Sequence, residues 1–221
     1  MAVSRGSRDP ERTRQKILDA ATDEFARYGL GGARVDRIAA RAGINKRMLY
    51  YYFRNKDNLF LAALEGRYAH IRAAERALDL EHLTPREALA RLVEFTWKYF
   101  LEHPEFMTLL NSENLHKGRH VRRSRRVPQL HSPLVEMLRS ILRRGEREGM
   151  FRRGVDPVQL YISIAGEGYF YLANRYTLAQ IFKRDLMTRA ALAARARHNV
   201  DMIVRALAPS TTGRVNHRVK S

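Results

Sequence analysis

The chain has 221 residues, 45% of them hydrophobic, enough to pack one large or two small domains, which excludes a disordered chain. Its 41 Lys and Arg against 23 Asp and Glu give a formal charge of +18, which favours a polyanionic partner and disfavours a basic substrate. The absence of cysteine excludes disulfides, thiolate zinc sites and thiol nucleophiles, and no apolar run approaches the ~18 residues of a membrane span, so a soluble cytoplasmic protein without cofactor or metal is expected.

Residues 1–8 are a basic arm, placed at 1–10 as a segment, with no apolar stretch behind it of the kind a secretion signal needs. Asp9-Pro10 then reads as an N-cap followed by proline at the first helical position. Ile17, Ala21, Phe25 and Tyr28 form one stripe on a first helix, ended by Gly29, Gly31 and Gly32. Val35, Ile38, Ala39 and Ala42 stripe a second helix of two turns, which Gly43 stops in a position suited to left-handed backbone. A third short helix is predicted over residues 45–52.

From Asp57 onward the helical periods lengthen. Leu59, Phe60, Ala63 and Leu64 lead one long helix, and Leu89, Leu92, Val93, Trp97, Phe100 and Leu101 follow the Thr84-Pro85 start signal. Pro104, Pro128, Pro133 and Asp156-Pro157 divide the remainder into helices near 105–116, 133–148, 156–174 and 187–207, with a basic loop over 118–127 and a disordered basic tail over 209–221. Strand alternation is absent from the pattern, so the fold class is all-α.

Residues 34–53 carry the function. Two short amphipathic helices joined by a tight glycine turn project the second helix out of a small core, a geometry that suits a DNA major groove. Ile44, Leu49 and Phe53 are expected to face inward, leaving Asn45, Lys46, Arg47, Tyr50 and Tyr51 outward. Asn45 and Arg47 suit base edges, whereas Lys46, Tyr50 and Tyr51 suit phosphates. Arg34 and Val35, at the start of the second helix, join the candidate DNA-contacting set. Lys56 at the next helix start adds an ammonium to the amide dipoles there.

At these residues the chain resembles the tetracycline-repressor (TetR) family, whose DNA-binding signature ends in leucine-tyrosine, two further residues, often aromatic, and a lysine shortly afterward. Here Leu49-Tyr50-Tyr51-Tyr52-Phe53 is followed by Lys56. The resemblance extends over residues 14–64 and includes Ile17-Leu18-Asp19-Ala20-Ala21, Phe25-Ala26-Arg27-Tyr28-Gly29 and Ile38-Ala39-Ala40-Arg41-Ala42-Gly43. Arg47-Met48 departs from the small or polar residues common there. The resemblance implies a three-helix N-terminal helix-turn-helix domain (residues 11–55) followed by a helical effector-binding and dimerisation domain (residues 56–208). It also implies a regulator that binds a palindromic double-stranded DNA operator as a homodimer and releases it on binding a small molecule.

For the dimer contact, the helices near 156–174 and 187–207 are suitable. The first is nearly continuous apolar surface with Gly166 and Gly168, and Ala193, Val200, Ile203, Val204 and Leu207 stripe the second. Trp97, Phe100, Leu101, Met107, Leu110, Asn111, Asn114, Met137, Leu138, Tyr169, Phe170 and Tyr171 are candidates for the effector pocket, each with core packing as the plainer reading. Glu167 stands out because a carboxylate inside an apolar helix requires a ligand, an ion pair or an interface bond.

Two further patterns have bland readings. Glu113, His116 and His120 are spaced like metal ligands, but Gly118 interrupts them and no further ligand follows, so no metal is expected. Residues 117–126, with six basic residues, read as a solvated loop, a second nucleic-acid contact being the alternative. The competing reading of the whole chain is a helical carrier or enzyme without operator binding. No phosphate-binding glycine loop, Gly-x-Ser-x-Gly elbow or His-Glu-x-x-His pair supports it.

Overall fold

The structure, a computed structural model, describes residues 9–209; the predicted arm over 1–8 and the tail beyond 209 lie outside the described residues. Helices form the described chain, with no strand among those residues. They are α1 (Pro10–Gly32), α2 (Val35–Ala42), α3 (Lys46–Phe53), α4 (Lys56–Arg76), α5 (Pro85–Glu102), α6 (Pro104–Leu115), α7 (Arg126–Arg147), α8 (Pro157–Ala173), α9 (Arg175–Phe182) and α10 (Arg189–Ala206), with a short 3-10 turn at Val121–Arg123. None of the described helices is long and apolar enough to cross a membrane.

The helix starts follow the capping residues that the sequence supplies. Asp9 accepts the amides of Glu11 and Arg12, Asn55 that of Asn58, Asp156 that of Val158 and Thr188 that of Ala191. Thr84 and Glu87 form a reciprocal box at α5, the Thr84 amide donating to Glu87 and the Glu87 amide to the Thr84 hydroxyl. Inside α1, Gly29 adopts φ 63° and ψ 179°, a conformation open to glycine, so that the helix kinks and delivers Leu30 into the core.

Two compact units result. Among the described residues, the first comprises 9–74 together with Tyr99–Ser132; the second comprises Glu75–Lys98 and 133–209. The division differs from the sequence-based boundary at residue 56, because α1 to α3 do not close a core by themselves. Ile17, Ala21 and Phe25 of α1, Ile38 of α2 and Leu49 and Phe53 of α3 are buried together with Leu59, Phe60 and Leu64 of α4 and Leu109 of α6. Phe25 and Phe60 meet edge to face at 5.2 Å. The second unit packs Leu89, Leu92 and Val93 of α5 with Leu138, Ile141 and Leu142 of α7, Leu160 and Ile164 of α8 and Ile203 and Val204 of α10.

Two elements differ from the sequence reading. The helix expected from Pro133 begins at Arg126, because the Ser124 hydroxyl caps the amides of Arg126 and Val127 and Pro128 falls in the first turn, where a missing N–H costs nothing. Pro133 therefore lies inside α7 and removes one helical hydrogen bond. Residues 175–182 form the unanticipated helix α9, ended by Lys183 in the left-handed region (φ 51°); its Tyr176, Ile181 and Phe182 are exposed, so no buried period marked it in the sequence.

Because Leu49 is fully buried and Tyr51 is 81% exposed on the same two-turn helix, their truncations should separate. Leu49→Ala should destabilise the first unit by about 2–5 kcal/mol, and Tyr51→Ala should stay within about 0.5 kcal/mol of wild type, as read by urea denaturation. Equal costs would show that α3 is not anchored through Leu49.

Candidate nucleic-acid interface

The exposed face of α3 is set by the turn before it. Gly43 caps α2 at φ 66° and ψ 34°, and the amides of Gly43 and Ile44 return to the Ala40 and Ala39 carbonyls. Nothing lies within 4 Å of the position a Cβ would take at Gly43, so the requirement for glycine is conformational. Two residues later the Asn45 side-chain oxygen accepts the Met48 amide at 2.8 Å and starts α3. Three residues thus end one helix and begin the next. Leu49 and Phe53 then go inward, half-buried Ile44 packs against the same core, and Arg47, Tyr50 and Tyr51 go outward.

A buried carboxylate fixes the start of α2. Glu24 of α1, 3% exposed, accepts the Arg37 guanidinium at 2.6 Å and the Arg34 amide at 2.9 Å. Arg37 also donates to the Gly32 carbonyl and lies 4.2 Å over the Tyr28 ring. Burial alone would raise the Glu24 pKa, but the Arg37 hydrogen bond, the Arg34 amide and the charges of Arg37 and Arg41 together hold it below the ordinary 4.5.

The predicted DNA-contacting residues divide by what already holds them. Arg47, Tyr50, Tyr51 and Arg34 are exposed, and the Arg34 and Arg47 guanidinium groups make no hydrogen bond or ion pair among the described residues. Lys46 is paired with Asp36 at 3.0 Å, whose hydrogen bond and charge raise the Lys46 pKa. Lys56 donates to the Gly31 carbonyl at 3.3 Å. Asn45, exposed, uses its side-chain oxygen as a cap, and Val35 is half-buried against the core. Thr13 and Lys16 of α1 border the same cleft as Asn45, Met48 and Tyr52, which the sequence reading missed. Lys16 lies off the apolar stripe, but only the packing of α1 brings it beside α3.

The α3 segment contains no acid, and its N-terminus adds a partial positive charge. Its ~10–12 Å diameter matches a major groove about 12 Å wide. The arrangement is a donor-rich helix presented by a rigid support. Residues 17–63 match the family described as bacterial regulatory proteins, tetR family, and residues 85–203 match the tetracyclin repressor-like C-terminal domain.

The chain belongs to the tetracycline-repressor family. Its function is DNA-binding transcription regulation. The chain is 42% identical over 183 residues to the HTH-type transcriptional repressor NicS of Pseudomonas putida, covering 83% of this chain and 86% of that one. Among solved structures, the fatty acid degradation regulator FadR of Bacillus halodurans superposes with a TM-score of 0.67 at 20% identity, covering 96% and 100% of the two chains. FadR of Bacillus subtilis in complex with stearoyl-CoA gives 0.63 at 19% identity, covering 88% and 99%. At these identities the two structures show the shared fold.

The effector candidates do not gather in one unit. Phe100, Met107, Leu110, Asn111 and Asn114 belong to the first unit, where Phe100 and Met107 are buried, Leu110 packs against the core and Asn114 is exposed with its amide turned to the Leu110 carbonyl. Trp97, Leu138, Glu167, Phe170 and Tyr171 belong to the second. There Trp97 meets the Tyr171 ring at 5.5 Å, and the Tyr171 hydroxyl donates to the Leu186 carbonyl. Glu167 has a partner within the protomer: Arg195 of α10 donates to it at 2.6 Å and lies over Tyr171. Phe170 is 60% exposed, so it lines no interior of the protomer. Glu113 and His120 are buried partners 2.5 Å apart, with His116 bonded instead to the Ser112 carbonyl.

Arg47→Ala should weaken binding to a selected DNA site and relax its sequence preference at one position, at about 1–3 kcal/mol for a base contact, without lowering the melting temperature. Glu24, with a pKa lower when folded than when unfolded, contributes stability above the ordinary carboxylate pKa of 4.5 that is lost as pH falls through its folded value. Wild type should therefore lose stability faster than Glu24→Gln as pH falls below 4.5; parallel curves in acid denaturation would refute the clamp.

Proposed function

We propose that the protein acts in the cytoplasm as an effector-responsive repressor, a homodimer whose two α3 helices enter successive major grooves of a palindromic operator. The observation that carries this reading is the exposure of Arg47, Tyr50 and Tyr51 on an acid-free helix whose opposite face is locked in a core. Half-sites then lie about one helical turn, or a multiple of it, apart. Repression as the sign of regulation is supported by the similarity to NicS, a transcriptional repressor.

The second unit supplies a surface for the dimer. Val158, Ile162 and Phe170 are exposed at four- and eight-residue intervals on α8, with exposed Gly166 between them, and Met202 is exposed on α10. Together they leave an apolar stripe that a second copy would cover. For the effector, we infer a small molecule taken among the helices of the second unit, near Trp97 and Tyr171. The pair of Glu167 and Arg195 is the polar group there, joining α8 to α10. An effector that binds one arrangement of these helices more tightly shifts the population away from the spacing the operator requires.

Selection of bound sequences from a random duplex pool should return a dyad-symmetric site, and metabolites can then be screened for its release. A footprint without dyad symmetry would count against the dimeric reading. Ile162→Glu, placing a charge in the exposed stripe, should convert the dimer to monomer by analytical ultracentrifugation and weaken operator binding at least tenfold; an unchanged dimer would remove α8 from the interface.

A further inference from the structure

We propose that the basic segment over residues 117–126 is a second DNA-backbone contact, which binds phosphates flanking the groove that α3 enters. It contains Lys117, Arg119, Arg122, Arg123, Arg125 and Arg126 and no acid. In the sequence it is far from α3. In the structure it belongs to the same compact unit and is fastened along α4, the helix that begins three residues after α3 ends.

The fastening is specific. Glu113, 4% exposed in α6, accepts the amides of His120 and Val121 at 2.8 and 2.9 Å and the His120 ring nitrogen at 2.5 Å. His120 packs on Phe60 of α4, and Val121 on the same core. Arg119 donates to Asp57 at 2.9 Å, Arg123 to the Asn58 side-chain oxygen at 3.1 Å and the Ser124 hydroxyl to Glu65 at 2.5 Å. A merely solvated loop has no need of a buried carboxylate organising its backbone; this segment is held in one conformation against the first turns of α4.

Its charge is left outward. Asp57 is the acid of the first turn of α4, where it would repel a phosphate, and Arg119 neutralises it. Arg122 and Arg125 are exposed and without a carboxylate partner among the described residues. Six cations within ten residues repel one another, and a phosphate backbone offsets that repulsion while releasing counterions. DNA is favoured over another polyanion because α3 and Lys56 belong to this same unit and the patch is tied to the first turn of α4.

The test uses the full chain and random-sequence duplex DNA, with affinity measured by fluorescence anisotropy as a function of salt. Resting on the DNA-binding function, it requires first that wild type show salt-dependent binding; its absence would refute that function and not this second site alone. Arg122→Ala/Arg125→Ala should flatten the slope of log affinity against log salt by about 0.9 for each phosphate that is no longer neutralised. Arg86→Ala/Arg91→Ala, an equal removal of charge from exposed residues of α5 in the second unit, should leave the slope unchanged. Arg122→Lys/Arg125→Lys should restore it, which separates charge from any damage to the fold. A wild-type slope in the first variant, or equal flattening in both alanine variants, would overturn the proposal.

Discussion

What α3 presents outward depends on what it buries. With only two turns, the helix is too short to persist alone, since nucleation is costly and isolated helices of this length are marginal in water. Leu49 and Phe53 supply what local propensity does not: they enter a core that α1, α2, α4 and α6 have to share. A one-residue shift of α3 in its socket would rotate Arg47 and Tyr51 by about 100° and remove them from the exposed face. The Gly43 turn sets the entry angle, but the apolar packing fixes the register.

The same unit handles its carboxylates in a consistent way. Glu24 is closed on Arg37, Asp36 on Lys46, Asp57 on Arg119 and Glu113 on His120. Each pairing does local structural work, and those with Arg37, Lys46 and Arg119 also offset a negative charge in a unit whose net charge is positive. The buried pairs, Glu24 and Glu113, are the ones that organise backbone: each accepts main-chain amides besides its charged or ring partner. The exposed ones contribute little to stability but leave the unpaired cations dominant. Net charge alone, +18 in the sequence, does not say where the field is.

In the second unit the balance is reversed. Its core is drawn chiefly from α5, α7, α8 and α10, yet α8 and α9 still carry large apolar side chains in the open. On α8 the exposed stripe lies on a helix that already buries its other face, which is what the proposed dimer surface rests on. α9 differs from α8 in burying no residue of its own, while Tyr176, Ile181 and Phe182 are exposed. Glu167, conspicuous in the sequence as a charge among apolar neighbours, joins α8 to α10 through Arg195.

The sequence by itself determined the helix-turn-helix, because its signals are local: a 3.6-residue apolar period, Asp9 and Thr84 as helix starts, and a glycine where the backbone has to turn left-handed; that Asn45 caps α3 emerged only from the structure. It likewise determined which face of α3 is inward. It misplaced the start of α7, since a proline resembles a helix start wherever it stands, and it missed α9, whose apolar residues face no core within the protomer. The tertiary structure decided everything that depends on residues distant in the chain. It made Leu109 part of the DNA-binding unit, gave Glu167 its partner and brought residues 117–126 to the first turn of α4. Periodicity records which residues want burial or solvent; only packing records against which neighbours, and the reach of a DNA-binding surface is a property of neighbours.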